Sequence, residues 1–342
     1  MTNKRLSAAV AALVLLSACG SSEQPQNLTG AGATFPNPIY SKWFSEYQKL
    51  HQLIQINYQS QGSGAGISQV TEGTVDFGAS DQPMKPEQIE KFKTTRNTGV
   101  LHFPTVMGAV VPTYNLAEVT TELNFTPAAL AGIFLGKVKK WNDPAIASAN
   151  KDVKLPASDI VVVHRSDGSG TSFVFTDYLS KVSPDWAAGP GAAAAVSWPV
   201  GLGGKGNEGV IGLVKQTPNS IGYTEMIYAL QNKLPMGTVQ NAAGKFVKAS
   251  PASVTEAAAS VPMPDDFRVS ITNPAGDGAY PISSFTWLLI PETIKDAAKK
   301  AVIVDFLKWM LGPGQAMAPA LEYAPLPAAV VTKELAAIAT IK

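Results

Sequence analysis

Strand-like and helix-like segments alternate along this chain, and short glycine- and serine-rich turns separate them. Ile54, Ile56 and Tyr58 alternate with polar residues as in a strand. Gly62-Ser63-Gly64-Ala65-Gly66 follows, then Ile67 and Val70 at helical spacing. Residues 75–79, 106–111, 160–163 and 287–290 read as further strands. A helix is predicted from near Thr171, with Phe173, Val174, Phe175 and Tyr178 as its apolar face. Another spans residues 297–311 and should stop at Gly312-Pro313-Gly314. A chain that alternates in this way folds as α/β layers. There is no internal repeat, and the alanine run 192–195 reads as part of a Gly/Pro-rich loop.

The amino terminus sets the compartment. Lys4 and Arg5 precede an apolar run over residues 6–16, and Leu16-Ser17-Ala18 leads into Cys19. A basic start, an apolar middle and small residues before a cut make a secretory signal. The run is shorter than the ~20 residues of a membrane-spanning helix. Cys19 is the sole cysteine, so no internal disulfide forms. Its setting resembles a bacterial lipobox. That resemblance implies removal of residues 1–18, lipidation at Cys19 and a membrane anchor, with residues 19–27 as a polar tether.

The remaining length suffices for two α/β lobes. The net charge of +1 includes two basic residues of the signal, so the rest is close to neutral, which disfavours nucleic acid as a partner. Charged residues make up 15% of the chain, against ~25% in ordinary domains. Few charges and many glycines suit a backbone that approaches a ligand closely.

Four segments carry donors or acceptors suited to an anion. Gly30-Ala31-Gly32-Ala33-Thr34-Phe35-Pro36 is an open glycine-rich stretch before a helix in which Ile39, Trp43 and Tyr47 recur every four residues. Amides at such a helix start attract anions. Ser63 offers a hydroxyl and an amide between a strand and a helix. Asp81 ends a strand and, when ionised, only accepts hydrogen bonds. Arg165-Ser166-Asp167-Gly168-Ser169-Gly170-Thr171 puts a planar guanidinium beside small donors at a strand-to-helix junction, with Asp167 able to steady it. Each of the first three, alone, reads equally as a turn, linker or cap.

In combination these strings resemble the periplasmic phosphate-binding proteins that feed phosphate ABC importers. Residues 29–36, 75–81, 103–106, 137–141, 167–175 and 198–207 match in order and spacing, over nearly all of residues 28–327. The resemblance implies a type II periplasmic binding protein: two α/β lobes joined by a two-crossover hinge. Lobe I would use residues 28–105 and 283–342, and lobe II residues 106–282. By position, phosphate-binding roles carry over to Thr34, Phe35, Ser63, Asp81, Arg165, Ser169, Gly170 and Thr171, with Asp167 supporting Arg165. Some members have Ser where this chain has Gly64, and Arg where it has His164. The loop 201–208 also matches and is expected to be a structural turn. The implied partners are inorganic phosphate and a permease with a cytoplasmic ATPase. No cofactor, metal or nucleotide is expected, and the protein should be monomeric.

Three other readings remain to be weighed. An enzyme would need a nucleophile or metal site. Ser169 lacks the G-x-S-x-G elbow, because Asp167 stands at its first glycine. His51, His102 and His164 show no metal-ligand spacing, and no G-x-x-x-x-G-K-[ST] loop occurs. A receptor for sulfate or molybdate conflicts with an acceptor-only Asp81. A surface adhesion or signalling protein that keeps the fold but has lost transport stays open, although the intact donor set gives no sign of lost binding.

Overall fold

The computed structural model describes residues 25–342. The signal segment and Cys19 lie outside the described residues.

Eleven strands form among the described residues: β1 Gln26–Gly32, β2 Ile54–Ser60, β3 Phe77–Ser80, β4 Val100–Asn115, β5 Asn124–Phe125, β6 Val161–Arg165, β7 Leu202–Gly204, β8 Ser220–Glu225, β9 Thr238–Gln240, β10 Phe246–Val247 and β11 Ser283–Pro291. Eight make one sheet in the order β2-β1-β3-β11-β4-β8-β6-β7, and β10-β9-β5 form a small second sheet. β1 runs parallel to β2 and β3. β6 runs parallel to β7 and β8. Parallel neighbours need a crossover between them, and helices supply it here.

β4 explains how one sheet serves two lobes. Residues 100–109 pair antiparallel with β11, and Val110 to Asn115 pair with β8. β4 therefore belongs to both sides, and β11 returns beside it. This is the two-lobe α/β architecture expected from the sequence. The sequence revealed only residues 106–111 of β4, because Pro104 and Pro112 argue against a central strand. The structure accommodates Pro104 with a bulge. Thr286 pairs with Val106 and Trp287 with Pro104, leaving Thr105 extra on β4. The bulge lies beside Asp81, which Thr286 touches, and bulges commonly re-aim side chains near sites.

Four helices follow strands at one end of their lobe: Asn37–Leu50 after β1, Ser63–Glu72 after β2, Gly170–Val182 after β6 and Gly206–Gln216 after β7. In open α/β sheets this carboxyl edge is where ligands sit. The first helix buries Ile39, Trp43 and Tyr47 as their spacing predicts, and Pro38 lies in its first turn. Aromatic side chains fill the first lobe, where Phe44 contacts Tyr58, Phe77 and Phe306. In the second, Tyr223 stacks on Phe175 and Trp198.

Two local expectations are corrected. Residues 30–32 are not an open loop but the end of β1. Glycine is needed there for space: a Cβ on Gly30 would lie 2.2 Å from the Phe77 ring, and one on Gly32 would lie 2.1 Å from the Ala79 carbonyl oxygen. Gly312-Pro313-Gly314 also does not stop the late helix cleanly. The α-helix ends at Trp309, and the chain continues through a π turn, Met310–Gly314, and a 3-10 turn, Gln315–Met317. Widening the turn lets Pro313, which has no N–H to donate, stay within a helical path.

Candidate anion-binding site

The loop after β1 has its carbonyls tied back. Tyr228 donates its hydroxyl to the Thr34 carbonyl at 2.5 Å, and Tyr323 donates to the Phe35 carbonyl at 2.6 Å. The amides of Thr34 and Phe35 donate to nothing among the described residues. Holding the carbonyls to one side frees those amides on the other. Phe35 contributes only its backbone, because its ring is fully buried.

Asp81 directly follows β3 and is 1% exposed. Its Oδ1 accepts from Thr286 Oγ1 at 2.7 Å, and its Oδ2 faces Ser63 Oγ at 3.4 Å. Burial pushes its carboxyl up to about 7, although the Thr286 bond, the Arg165 charge and the Ser63 bond all pull the other way. Glu225, at the end of β8, is pushed well above the usual range by burial.

Arg165 ends β6 and is 2% exposed. Its Nε and Nη2 grip Asp167 at 2.8 and 2.5 Å, and its Nη1 donates to Thr34 Oγ1 at 3.2 Å. Asp167 also accepts from the Gly206 amide at 3.0 Å. Burial opposes ionisation of Asp167, but the Arg165 fork, its charge and the Gly206 amide outweigh burial and hold the carboxyl below its ordinary value. The guanidinium is thus fixed from behind, as the two-residue spacing suggests.

Ser169 caps the next helix. Its Oγ accepts from the Ser172 amide at 3.0 Å, and its own amide donates to Ala194. Only its hydroxyl proton is left to give. Gly170 donates its amide to Ser63 Oγ at 3.0 Å. Gly64 donates to the Gly168 carbonyl at 2.9 Å. With the Arg165–Thr34 bond, these contacts close one lobe on the other. All eight sequence-predicted ligand residues thus come from the facing carboxyl edges of the two lobes.

Closure leaves no room at Gly170. A Cβ there would sit 2.4 Å from Ser63 Oγ, 2.5 Å from Asp81 Oδ2 and 2.6 Å from Asp81 Cβ. We expect Gly170→Ala to hold the lobes apart, cost closure about 1–3 kcal/mol and weaken anion binding correspondingly. Titration with small-angle scattering checks this; unchanged affinity and an unchanged radius of gyration would contradict it.

Sequence reasoning overlooked three side chains. Asn207 reaches Thr34 and Thr171 from the start of the helix Gly206–Gln216. The loop read as a structural turn therefore touches the site. Thr286 holds Asp81, and Tyr228 shapes the first loop. A neutral amide or hydroxyl by itself carries no local signal of such a task. A cavity of about 920 Å³ opens on a flank between Lys42, Ile211 and Met317 and contains none of the eight predicted ligand residues. The collapsed donor cluster, with its charge and acceptor, is the better candidate for chemistry.

Comparison with known proteins bears on the family and the fold. A family model described as "PBP superfamily domain" matches residues 19–313. The chain is 46% identical over 312 residues to a phosphate-binding protein PstS of Xylella fastidiosa, covering 90% of this chain and 84% of the relative. It is 44% identical over 323 residues to a phosphate-binding protein PstS of Pasteurella multocida, covering 94% and 92%. Among solved structures, a periplasmic phosphate-binding protein (PfluDING) bound with phosphate superposes with a TM-score of 0.75 at 21% identity, covering 91% of this chain and 93% of that one. A phosphate-binding protein from Stenotrophomonas maltophilia gives 0.70 at 19% identity, covering 91% and 93%. These two likenesses establish the shared fold.

Proposed function

The chain belongs to the PstS phosphate-binding proteins of the PBP superfamily, and from that membership we propose that it captures inorganic phosphate with high affinity outside the cytoplasm and delivers it to an ABC-type import complex. One observation carries the ligand assignment: the buried carboxyl of Asp81, unlike that of Asp167, makes no salt bridge among the described residues and faces the donors. Those donors are the Thr34 and Phe35 amides, Ser63, the Arg165 fork, the Ser169 hydroxyl, Thr171 and the Gly170 amide, which would leave Ser63 Oγ for the ligand.

Phosphate near neutral pH keeps at least one proton. Its bare oxygens would accept from the donors, and Asp81 would accept from its P–OH. Sulfate has the same shape without that proton, so its oxygen would face the carboxylate lone pairs. A partner that leaves a buried polar group unpaired is rejected strongly. Lobe closure excludes water and strengthens each contact.

The lobes would comprise residues 28–105 with 283–342, and 106–282. The crossing of β4 and β11 supports a hinge at that junction. Residues 1–18 would be an export signal, and Cys19 would carry the lipid, leaving residues 19–27 as tether. Among the described residues no helix is long and apolar enough to cross a membrane. The permease with its ATPase would be the macromolecular partner of a monomeric protein. The relatives carry binding-protein names, and we read this chain as a receptor rather than a phosphatase.

Calorimetric titration of residues 19–342 with phosphate, arsenate and sulfate tests the assignment. Phosphate and arsenate should bind one per chain and sulfate should not. Absence of phosphate heat, or steady turnover of a phosphate ester, would sink it.

A further inference from the structure

We propose that Asn207 is a positioning residue for phosphate capture: its side-chain amide aims the hydroxyls of Thr34 and Thr171, one from each lobe, as donors into the anion site. The inference deepens the phosphate assignment and rests on it.

Asn207 is fully buried, in the first turn of the helix Gly206–Gln216. Its Nδ2 donates to Thr34 Oγ1 at 2.9 Å and to Thr171 Oγ1 at 3.3 Å. Its backbone amide also points at Thr34 Oγ1, at 3.3 Å. Thr224 Oγ1, itself buried on β8, donates to Asn207 Oδ1 at 3.2 Å. Thr224 thereby turns the amide so that its two protons face the two threonines.

A hydroxyl has one proton to give and two lone pairs to receive with. Thr34 Oγ1 receives from Asn207 and from Arg165 Nη1. Thr171 Oγ1 receives from Asn207. Neither hydroxyl proton finds an acceptor among the described residues, although both side chains are buried. Each proton is left to meet an oxygen of the ligand. Without the amide, both hydroxyls could rotate and satisfy themselves elsewhere, and the ordering cost would fall on binding. Asn207 and Thr171 lie on one lobe and Thr34 on the other, so the arrangement is complete only when the lobes meet.

A packing role for Asn207 at a helix start makes different predictions, and a thermodynamic cycle separates the two. Phosphate affinity by calorimetry and melting of the phosphate-free protein are measured for the native chain, Asn207→Ala and Asn207→Asp. The same substitutions are repeated in a Thr34→Val/Thr171→Val background. Loss of donors to an anion site should cost Asn207→Ala about ten- to hundredfold in affinity. Asn207→Asp should bind at least as poorly, because its oxygens cannot donate. In the valine background the further loss should shrink to less than about threefold, since the residue acts through those hydroxyls.

Equal losses in both backgrounds would overturn the proposal, as would an Asn207→Asp protein that binds like the native one. If neither variant folds, Asn207 is a structural keystone and the proposal fails. A native protein that does not bind phosphate would instead remove the assignment on which it rests.

Discussion

Asp81→Asn should nearly abolish discrimination between phosphate and sulfate. A site that leaves a buried acceptor facing lone pairs rejects the wrong ligand by about 10⁴–10⁵. Asparagine keeps the shape and can still accept from Thr286. Its amide can also donate, so a bare sulfate oxygen becomes acceptable at that position. The two affinities should come within about tenfold of each other, mostly through a gain for sulfate. Titrating both anions against both proteins checks this, and an unchanged preference would refute the proton-accepting role.

The same carboxyl predicts pH effects. Burial raises it to about 7 in the phosphate-free protein. Below that pH Asp81 takes up a proton and becomes a donor, so sulfate exclusion should weaken as pH falls from 8 towards 6. Stability has a definite sign as well. A group whose folded value lies above its unfolded one favours the fold fully below the unfolded value, near 3.8, and loses that contribution as pH rises through about 7. The phosphate-free protein should therefore become less stable across that window by on the order of 2–4 kcal/mol from this group. Asp81→Asn should remove the slope, which thermal melts at stepped pH will read.

Arg165→Ala should produce the largest loss of affinity. Arg165 supplies the cation of the site, is 2% exposed, and holds Asp167 through two bonds. Deleting it withdraws the fork and leaves the Asp167 carboxylate facing an anion. Breaking a buried pair from one side costs about 3–5 kcal/mol, and affinity should fall at least about a hundredfold. Arg165→Lys keeps the charge but cannot bridge Asp167 and Thr34 with a planar fork, so it should recover little. The double variant Arg165→Ala/Asp167→Ala separates the two effects. It should regain stability, because no charge is stranded, without regaining phosphate binding. If it bound phosphate normally, the fork would not be a ligand.

The cluster from Arg165 to Thr171 was readable because a cation, its carboxylate partner and three small donors occupy seven consecutive residues. Asp81 was readable because it ends an apolar strand with nothing local to pair with. The strand at residues 26–32 was not, since glycine favours no strand by itself and is required there only by the Phe77 ring and the Ala79 backbone beside it. β4 was half hidden by its prolines: the bulge at Thr105 accommodates Pro104, and Pro112 lies within the regular ladder with β8.

What the amino-acid sequence determined alone was local. It specified alternating strands and helices, glycine turns at the strand ends, and the residue types that an oxyanion requires. Tertiary structure decided which of these meet. Ser63 touches Gly170, Arg165 reaches Thr34, and Thr286 holds Asp81, over separations of 107, 131 and 205 residues. It also recruited Asn207, whose part depends on what lies opposite it. The physical reason is that periodicity and turn chemistry act over a few residues, whereas a hydrogen bond across the cleft exists only after both lobes have folded and closed.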